Sequence, residues 1–127
     1  LDKILKDIDC KNIIVDFHAE STAEKYAFAN YADGRVSAVI GTHTHVQTND
    51  EQILPKGTGF ISDAGAVCAV NSVLGVQTVL AVEKQKYLKP VQFKVEQGPG
   101  YICGVYIETD SNGETVKIEK VKKYVDI

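Results

Sequence analysis

Two short apolar runs, each ending at histidine and separated by a helix-start signal, constrain this chain more than any other feature. The first is Asn12-Ile13-Ile14-Val15-Asp16-Phe17, closed by His18. The second is Val36 to Ile40, which leads straight into Gly41-Thr42-His43-Thr44-His45-Val46. Short, β-branched runs of this kind read as buried strands. Between them Ser21-Thr22-Ala23-Glu24 has the form of a capping box, with Ser21 as N-cap and Glu24 at the third helical position. A helix is expected from there to about Ala32, ended by Asp33-Gly34. Strand, helix, strand predicts a parallel pair whose carboxyl ends carry the polar residues. Sites in open α/β sheets lie beyond such ends.

The remaining pattern extends this unit. Leu1, Ile4, Leu5 and Ile8 fall on one face of a short N-terminal helix. Asn49-Asp50-Glu51 and Pro55-Lys56-Gly57-Thr58 read as turns, and Gly59 to Ser62 as a strand ending at Asp63-Ala64-Gly65. Residues 66–82 lack a clear period and are expected to form a loop with a short helix. Val91 to Val95, Cys103 to Ile107 and Val116 to Val121 alternate with period two, and Asp110-Ser111-Asn112-Gly113 forms a turn between the last two. The expected class is α/β: a layered sandwich with a mixed β-sheet flanked by helices, in one domain spanning 1–127.

Composition narrows the function. A net charge of -3 gives no broad attraction for a nucleic-acid duplex or an anionic membrane. No segment approaches the roughly 20 apolar residues of a membrane span. Cys10, Cys68 and Cys103 are odd in number and widely spaced, so they suggest neither a disulfide framework nor a structural zinc module. A cytoplasmic setting is expected. The chain has no methionine and starts at Leu1, from which a missing upstream segment is expected.

The three histidines, His18, His43 and His45, all follow predicted strands. In extended backbone residues i and i+2 face the same side, so His43 and His45 would share a crevice. Gly41 permits a close approach or an unusual dihedral at that corner. Imidazole suits Zn²⁺, Mn²⁺, Fe or Ni. A lone His-x-His reads more readily as two polar loop residues. Adding Asp16-Phe17-His18 on a neighbouring strand makes convergence on a metal the better reading. No Gly-x-Ser-x-Gly elbow supports a serine hydrolase, and no glycine-rich phosphate loop of the Walker or dinucleotide type occurs.

The segment from Ile14 to Lys25, with Asp16-Phe17-His18-Ala19-Glu20 at its centre, resembles a characteristic stretch of the YmdB-like family. So do Asp33-Gly34-Arg35-Val36-Ser37-Ala38-Val39-Ile40-Gly41-Thr42-His43-Thr44-His45-Val46-Gln47-Thr48, Ile53 to Thr58, and Ser62-Asp63-Ala64-Gly65. The likeness is dense from Asn12 to Gly65 and thinner beyond. It implies a calcineurin-type metallophosphoesterase: a β-sandwich flanked by helices, with a two-metal site at strand ends. It implies phosphodiesterase action on phosphate esters such as 2′,3′-cyclic nucleotides, through a metal-activated water. By the resemblance, His18 and His43 share one divalent ion and His45 binds the other, the ions being Fe, Mn or Zn.

The departures from the family pattern carry their own expectations. The family's first aspartate, its bridging glutamate with neighbouring asparagine, and its Asn-His pair with the general acid are all missing here. The resemblance therefore covers the C-terminal half of the domain and leaves no catalytic residue in this chain. The isolated chain is expected to be inactive; the alternative is a binding module. Asp63-Ala64-Gly65-Ala66-Val67-Cys68-Ala69 also departs from the family's usual loop. Asp16 and Asp63 are candidates to orient the imidazoles from behind, or simply to satisfy backbone near strand ends. Thr42 and Thr44, with Gln47 and Thr48, could donate to phosphate oxygens or serve local backbone. Arg35 could meet phosphate or form a surface ion pair. Half of a shared sheet exposes an edge, so a homo-oligomer is expected.

Overall fold

The computed structural model describes residues 1–126. In chain order the elements are α1 (Asp2–Leu5), β1 (Ile14–His18), α2 (Thr22–Ala32), β2 (Ala38–Thr42), β3 (Gln52–Ile53), β4 (Gly59–Ile61), β5 (Val67–Ala69), α3 (Thr78–Tyr87), β6 (Gly100–Thr109) and β7 (Thr115–Val125). They form a four-stranded sheet in the order β1-β2-β4-β3 and a three-stranded sheet in the order β5-β6-β7. The α/β class and the mixed sheet are as expected. β1, β2 and β4 run parallel, and β3 lies antiparallel to β4.

The chain divides into two compact units, Leu1–Gly65 with Val105–Lys120, and Ala66–Gly104 with Val121 onward. The first unit holds the strand–helix–strand motif. Ser21 caps α2 as expected, its hydroxyl accepting the Glu24 N–H at 3.4 Å. The helix stops at Ala32 because Asp33 leaves the helical conformation at ψ 125° and Gly34 follows at φ 77°, where an added Cβ would lie 2.8 Å from the Lys56 Cβ. Asp33 is buried and accepts the Lys56 and Thr58 N–H groups, which ties the helix end to the turn before β4. Ala29, Ala32, Val36, Val39, Leu54 and Phe60 form the core, with Val15, Phe17, Tyr26 and Phe28 packed against it. Phe17 stacks on Phe28 at 4.1 Å, and Tyr26 meets Phe60 edge-on at 4.8 Å. The β6–β7 turn belongs to this unit, organised by the Asp110 carboxylate on the Asn112 and Glu114 N–H groups.

Three expectations are corrected. β1 is an edge strand with alternating exposed and half-buried residues, because among the described residues it has a hydrogen-bonded neighbour only at β2. The N-terminal helix is a single turn: Leu1 and Leu5 reach the core, but Ile4 is 63% exposed. One turn without a side-chain cap does little to offset the cost of helix nucleation. Val91 to Val95 is not a strand; Val95 makes only an isolated bridge to Val76. Alternation needs a paired neighbour and a buried face, and Phe93 and Val95 remain largely exposed.

In the second unit β5 pairs antiparallel with β6, Cys68 opposite Tyr101. α3 ends at Leu88, which adopts the left-handed conformation. Ala81 is the buried residue of this helix. No described helix is long and apolar enough to cross a membrane.

Candidate metal centre

The parallel register sets His18, the last residue of β1, beside Thr42, the last residue of β2. Their side chains meet, with His18 Nδ1 3.1 Å from Thr42 Oγ1. The Thr42 hydroxyl is 3.3 Å from Asp16 Oδ1. A carboxylate only accepts, so the hydroxyl donates to Asp16 and accepts from His18 Nδ1–H. This relay assigns the His18 proton to Nδ1 and leaves Nε2 as an acceptor, here of the His43 Nδ1–H. Asp16 thus acts on His18 through Thr42.

His18 Nε2 lies 3.2 Å from His43 Nδ1, and the two rings meet edge-on with centroids 5.1 Å apart. Two nitrogens bound to one ion at about 2.0–2.1 Å stand about 3.3–3.4 Å apart in tetrahedral geometry and about 2.8–3.0 Å apart in octahedral geometry. The observed spacing fits two adjacent positions on one metal, and both rings are exposed. The chemistry of the donor set also fits, imidazole nitrogen being a common ligand for divalent transition metals.

The extended His-x-His geometry is not what the backbone adopts. β2 ends at Thr42, and His43 and His45 have φ values of 142° and 63°. The two imidazoles therefore do not follow the period-two rule of a strand. His18 and His43 come together, while His45 is exposed on the loop without a polar partner among the described residues. Among the described residues no group of three or more His, Cys, Asp or Glu is arranged to hold a metal.

The loop is shaped from below by Asp63, which is buried. Asp63 Oδ2 accepts the Thr44 N–H at 2.7 Å, and Oδ1 accepts the Gly65 N–H at 2.9 Å. Lys25, from α2, reaches the same Oδ2 at 3.4 Å, and both side chains are 1% exposed. Burial works to raise the Asp63 carboxyl. The Gly65 and Thr44 N–H groups, the Thr44 hydroxyl and the Lys25 charge outweigh it and hold the group below the ordinary carboxylate value.

The other polar candidates are engaged locally. Thr44 Oγ1 contacts the Val46 backbone, Thr48 Oγ1 accepts the Asp63 N–H at 2.9 Å, and Gln47 donates to the Ala64 carbonyl. Arg35 pairs with Asp2 and lies over the Tyr31 ring, the surface ion pair of the plainer reading. Lys25 is the residue that sequence reasoning missed. Its signal was spacing, since it shares the buried face of α2 with Ala29 and Ala32.

The family model described as YmdB-like protein matches residues 1–121. The chain belongs to the YmdB-like family. This YmdB-like chain is 46% identical over 110 residues to the 2′,3′-cyclic-nucleotide 2′-phosphodiesterase of Bacillus subtilis (strain 168), a match covering 86% of this chain and 42% of that protein. Two solved structures share its fold at a TM-score of 0.90 each. One is a hypothetical protein from Thermus thermophilus, at 34% identity, with 97% of this chain and 48% of that one covered. The other is a novel phosphatase of Mycoplasma pneumoniae, at 35% identity, with 98% and 45% covered. The YmdB-like chain spans less than half the length of these relatives.

Proposed function

We propose that this chain supplies the histidine side of a two-metal phosphodiesterase centre that acts on phosphate esters such as 2′,3′-cyclic nucleotides. The observation that carries the reading is the His18–His43 pair, with nitrogens 3.2 Å apart at the carboxyl ends of adjacent parallel strands. The name of the Bacillus subtilis relative supports the substrate class.

His18 and His43 are the pair for one ion, and His45 is the ligand for a second. Fe, Mn or Zn suits these imidazoles. When bound, such ions draw charge from a phosphoryl group and make a water more acidic. The chain's own part is orientation. Thr42 and Asp16 fix the His18 tautomer so that Nε2 faces the site. Asp63 holds Thr44 between the other two histidines. Two imidazoles are half a tetrahedral shell, and neutral ligands leave the metal charge uncompensated. Carboxylates and the general acid come, on this reading, from outside this segment. The isolated segment is then inactive. The reading also has copies of the chain self-associating, supported by the exposure of Val79 at 77% and Leu88 at 86%. A constant monomer mass over a wide concentration range in sedimentation would remove that part.

The test is Mn²⁺-dependent hydrolysis of bis-p-nitrophenyl phosphate and a 2′,3′-cyclic nucleotide by the full-length protein, by its His43→Ala variant and by this segment alone. Turnover by the full-length protein alone, abolished by a chelator and by His43→Ala, is expected. Turnover that survives both treatments overturns the proposal.

A further inference from the structure

We propose that Lys25 and Asp63 form a buried ion pair whose role is to position the histidine loop, locking Thr44 so that the His43 ring is held against His18. The loop geometry stands on the contacts alone, and its consequence for metal binding rests on the proposed function.

The loop needs a lock. His43 at φ 142° and His45 at φ 63° are non-glycine residues with positive φ, separated only by Thr44. Such residues persist only where their surroundings over-determine them. The Thr44 N–H points at Asp63 Oδ2 at 2.7 Å, the shortest of the hydrogen bonds that Asp63 makes. Around it the segments interlock. The Asp63 carbonyl accepts the Thr48 N–H at 3.1 Å and the Thr48 hydroxyl at 3.2 Å, and the Ala64 N–H donates to the Gly41 carbonyl at 2.9 Å. Both ends of the loop are thereby fastened to residues 63 and 64.

Lys25 completes the arrangement. It lies between α2 and the end of β2, its stem so close that a Cβ on Gly41 would be 3.0 Å from Lys25 Cδ. Its ammonium meets the oxygen that holds Thr44. Well-packed apolar side chains often replace a buried ion pair at no cost in stability, so stability alone does not account for one here. A carboxylate can accept two N–H groups on its two oxygens; an asparagine presents a donor to one of them. Asp63 is needed as a carboxylate, and Lys25 is the counter-charge in contact with it. Neither side chain contacts an imidazole, so both are positioning residues.

The experiment uses the metal-free full-length protein with ¹⁵N-labelled histidine, reading by NMR the contact between the His18 and His43 rings. Lys25→Met/Asp63→Asn removes both charges together, leaving no uncompensated buried ion. It is expected to fold cooperatively, to lose the ring contact and to bind Mn²⁺ at least about tenfold more weakly. Val39→Ala, a core variant away from the loop, is expected to keep the contact and the affinity despite its lower stability. A folded double variant with the ring contact intact overturns the proposal. If the double variant does not fold, Thr44 amide exchange in the wild-type protein decides. Protection within about tenfold of the Val39 amide supports the lock, and exchange at the rate of an unprotected chain overturns it. A wild-type protein with no Mn²⁺ affinity sinks the metal reading, while the ring contact still decides the lock.

Discussion

Gly41→Ala is the sharpest single perturbation of this site. Gly41 is buried in β2, one residue from its end, with Phe17 beside it in β1. A Cβ there would lie 2.0 Å from the Ser62 carbonyl oxygen and 2.5 Å from its carbon. Side chains cannot absorb this by rotating, since the obstacle is backbone. Ser62 must move by about an ångström, which over-packed cores allow only at the expense of backbone shifts. That movement breaks the Ala64 N–H bond to the Gly41 carbonyl and the Ser62 N–H bond to Asp50 Oδ1. Two hydrogen bonds at about 1 kcal/mol each, with strain of about 1–3 kcal/mol, give a loss of about 3–5 kcal/mol. At a urea slope of about 2 kcal/mol per molar, the unfolding midpoint falls by about 1.5–2.5 M. The His18–His43 ring contact should disappear with it, because residues 62–65 carry the loop's anchor. A midpoint within about 0.3 M of wild type, measured by circular dichroism, refutes the close approach.

Other outcomes follow from the same contacts. Gly104→Ala meets nothing within 4 Å and should change stability by no more than about 0.5 kcal/mol in the same titration. Thr42→Val removes the acceptor of His18 Nδ1–H; isothermal titration with Mn²⁺ should show about 10–100-fold weaker binding, largely restored by Thr42→Ser. Asp50 and Asp63 are both held below the ordinary carboxyl value of 3.8: burial pushes each up, but hydrogen bonds outweigh it, from Thr48, Ser62 and Tyr26 at Asp50 and from Gly65 and Thr44, with the Lys25 charge, at Asp63. Their folded values lie below their unfolded ones, so their stabilisation is complete above the unfolded value and lost as pH falls through the folded one. Urea midpoints should therefore drop as pH is lowered below about 4, and a midpoint that rises on acidification would contradict these assignments.

What was legible in the sequence was local. Ser21, Glu24 and Gly34 announce α2 because capping and left-handed termination depend on residues a few positions apart. β2 and β4 announce themselves by apolar runs that fill a core. Less legible was anything that depends on a distant partner. The burial of Lys25 makes sense only once Asp63, thirty-eight positions away, is known to lie beneath it. β1 reads as an interior strand by composition, yet its residues are half exposed because the sheet ends there. The Val91 to Val95 alternation had no strand to pair with beyond a single bridge. For the histidines, spacing gave the correct neighbourhood and the wrong geometry. The i, i+2 rule holds only while the backbone stays extended, and here it turns at His43.

The two histidines that do meet are held by different kinds of device. His18 sits on the sheet, its ring fixed by Thr42 across a register that ten strand residues define. His43 sits on a loop with two positive φ values, fastened at its ends to residues 63 and 64 and held at its middle by one short bond from Thr44 to a buried carboxylate. The first geometry survives any disturbance that leaves the sheet intact. The second is lost as soon as Thr44 and Asp63 part, because the bonds at the loop's ends do not hold its middle against the strain. In mild denaturant the loop should accordingly open before the sheet. Ring signals followed through a denaturant series would then show His43 changing below the midpoint and His18 at it. Simultaneous change would mean that the loop and the sheet open as one unit.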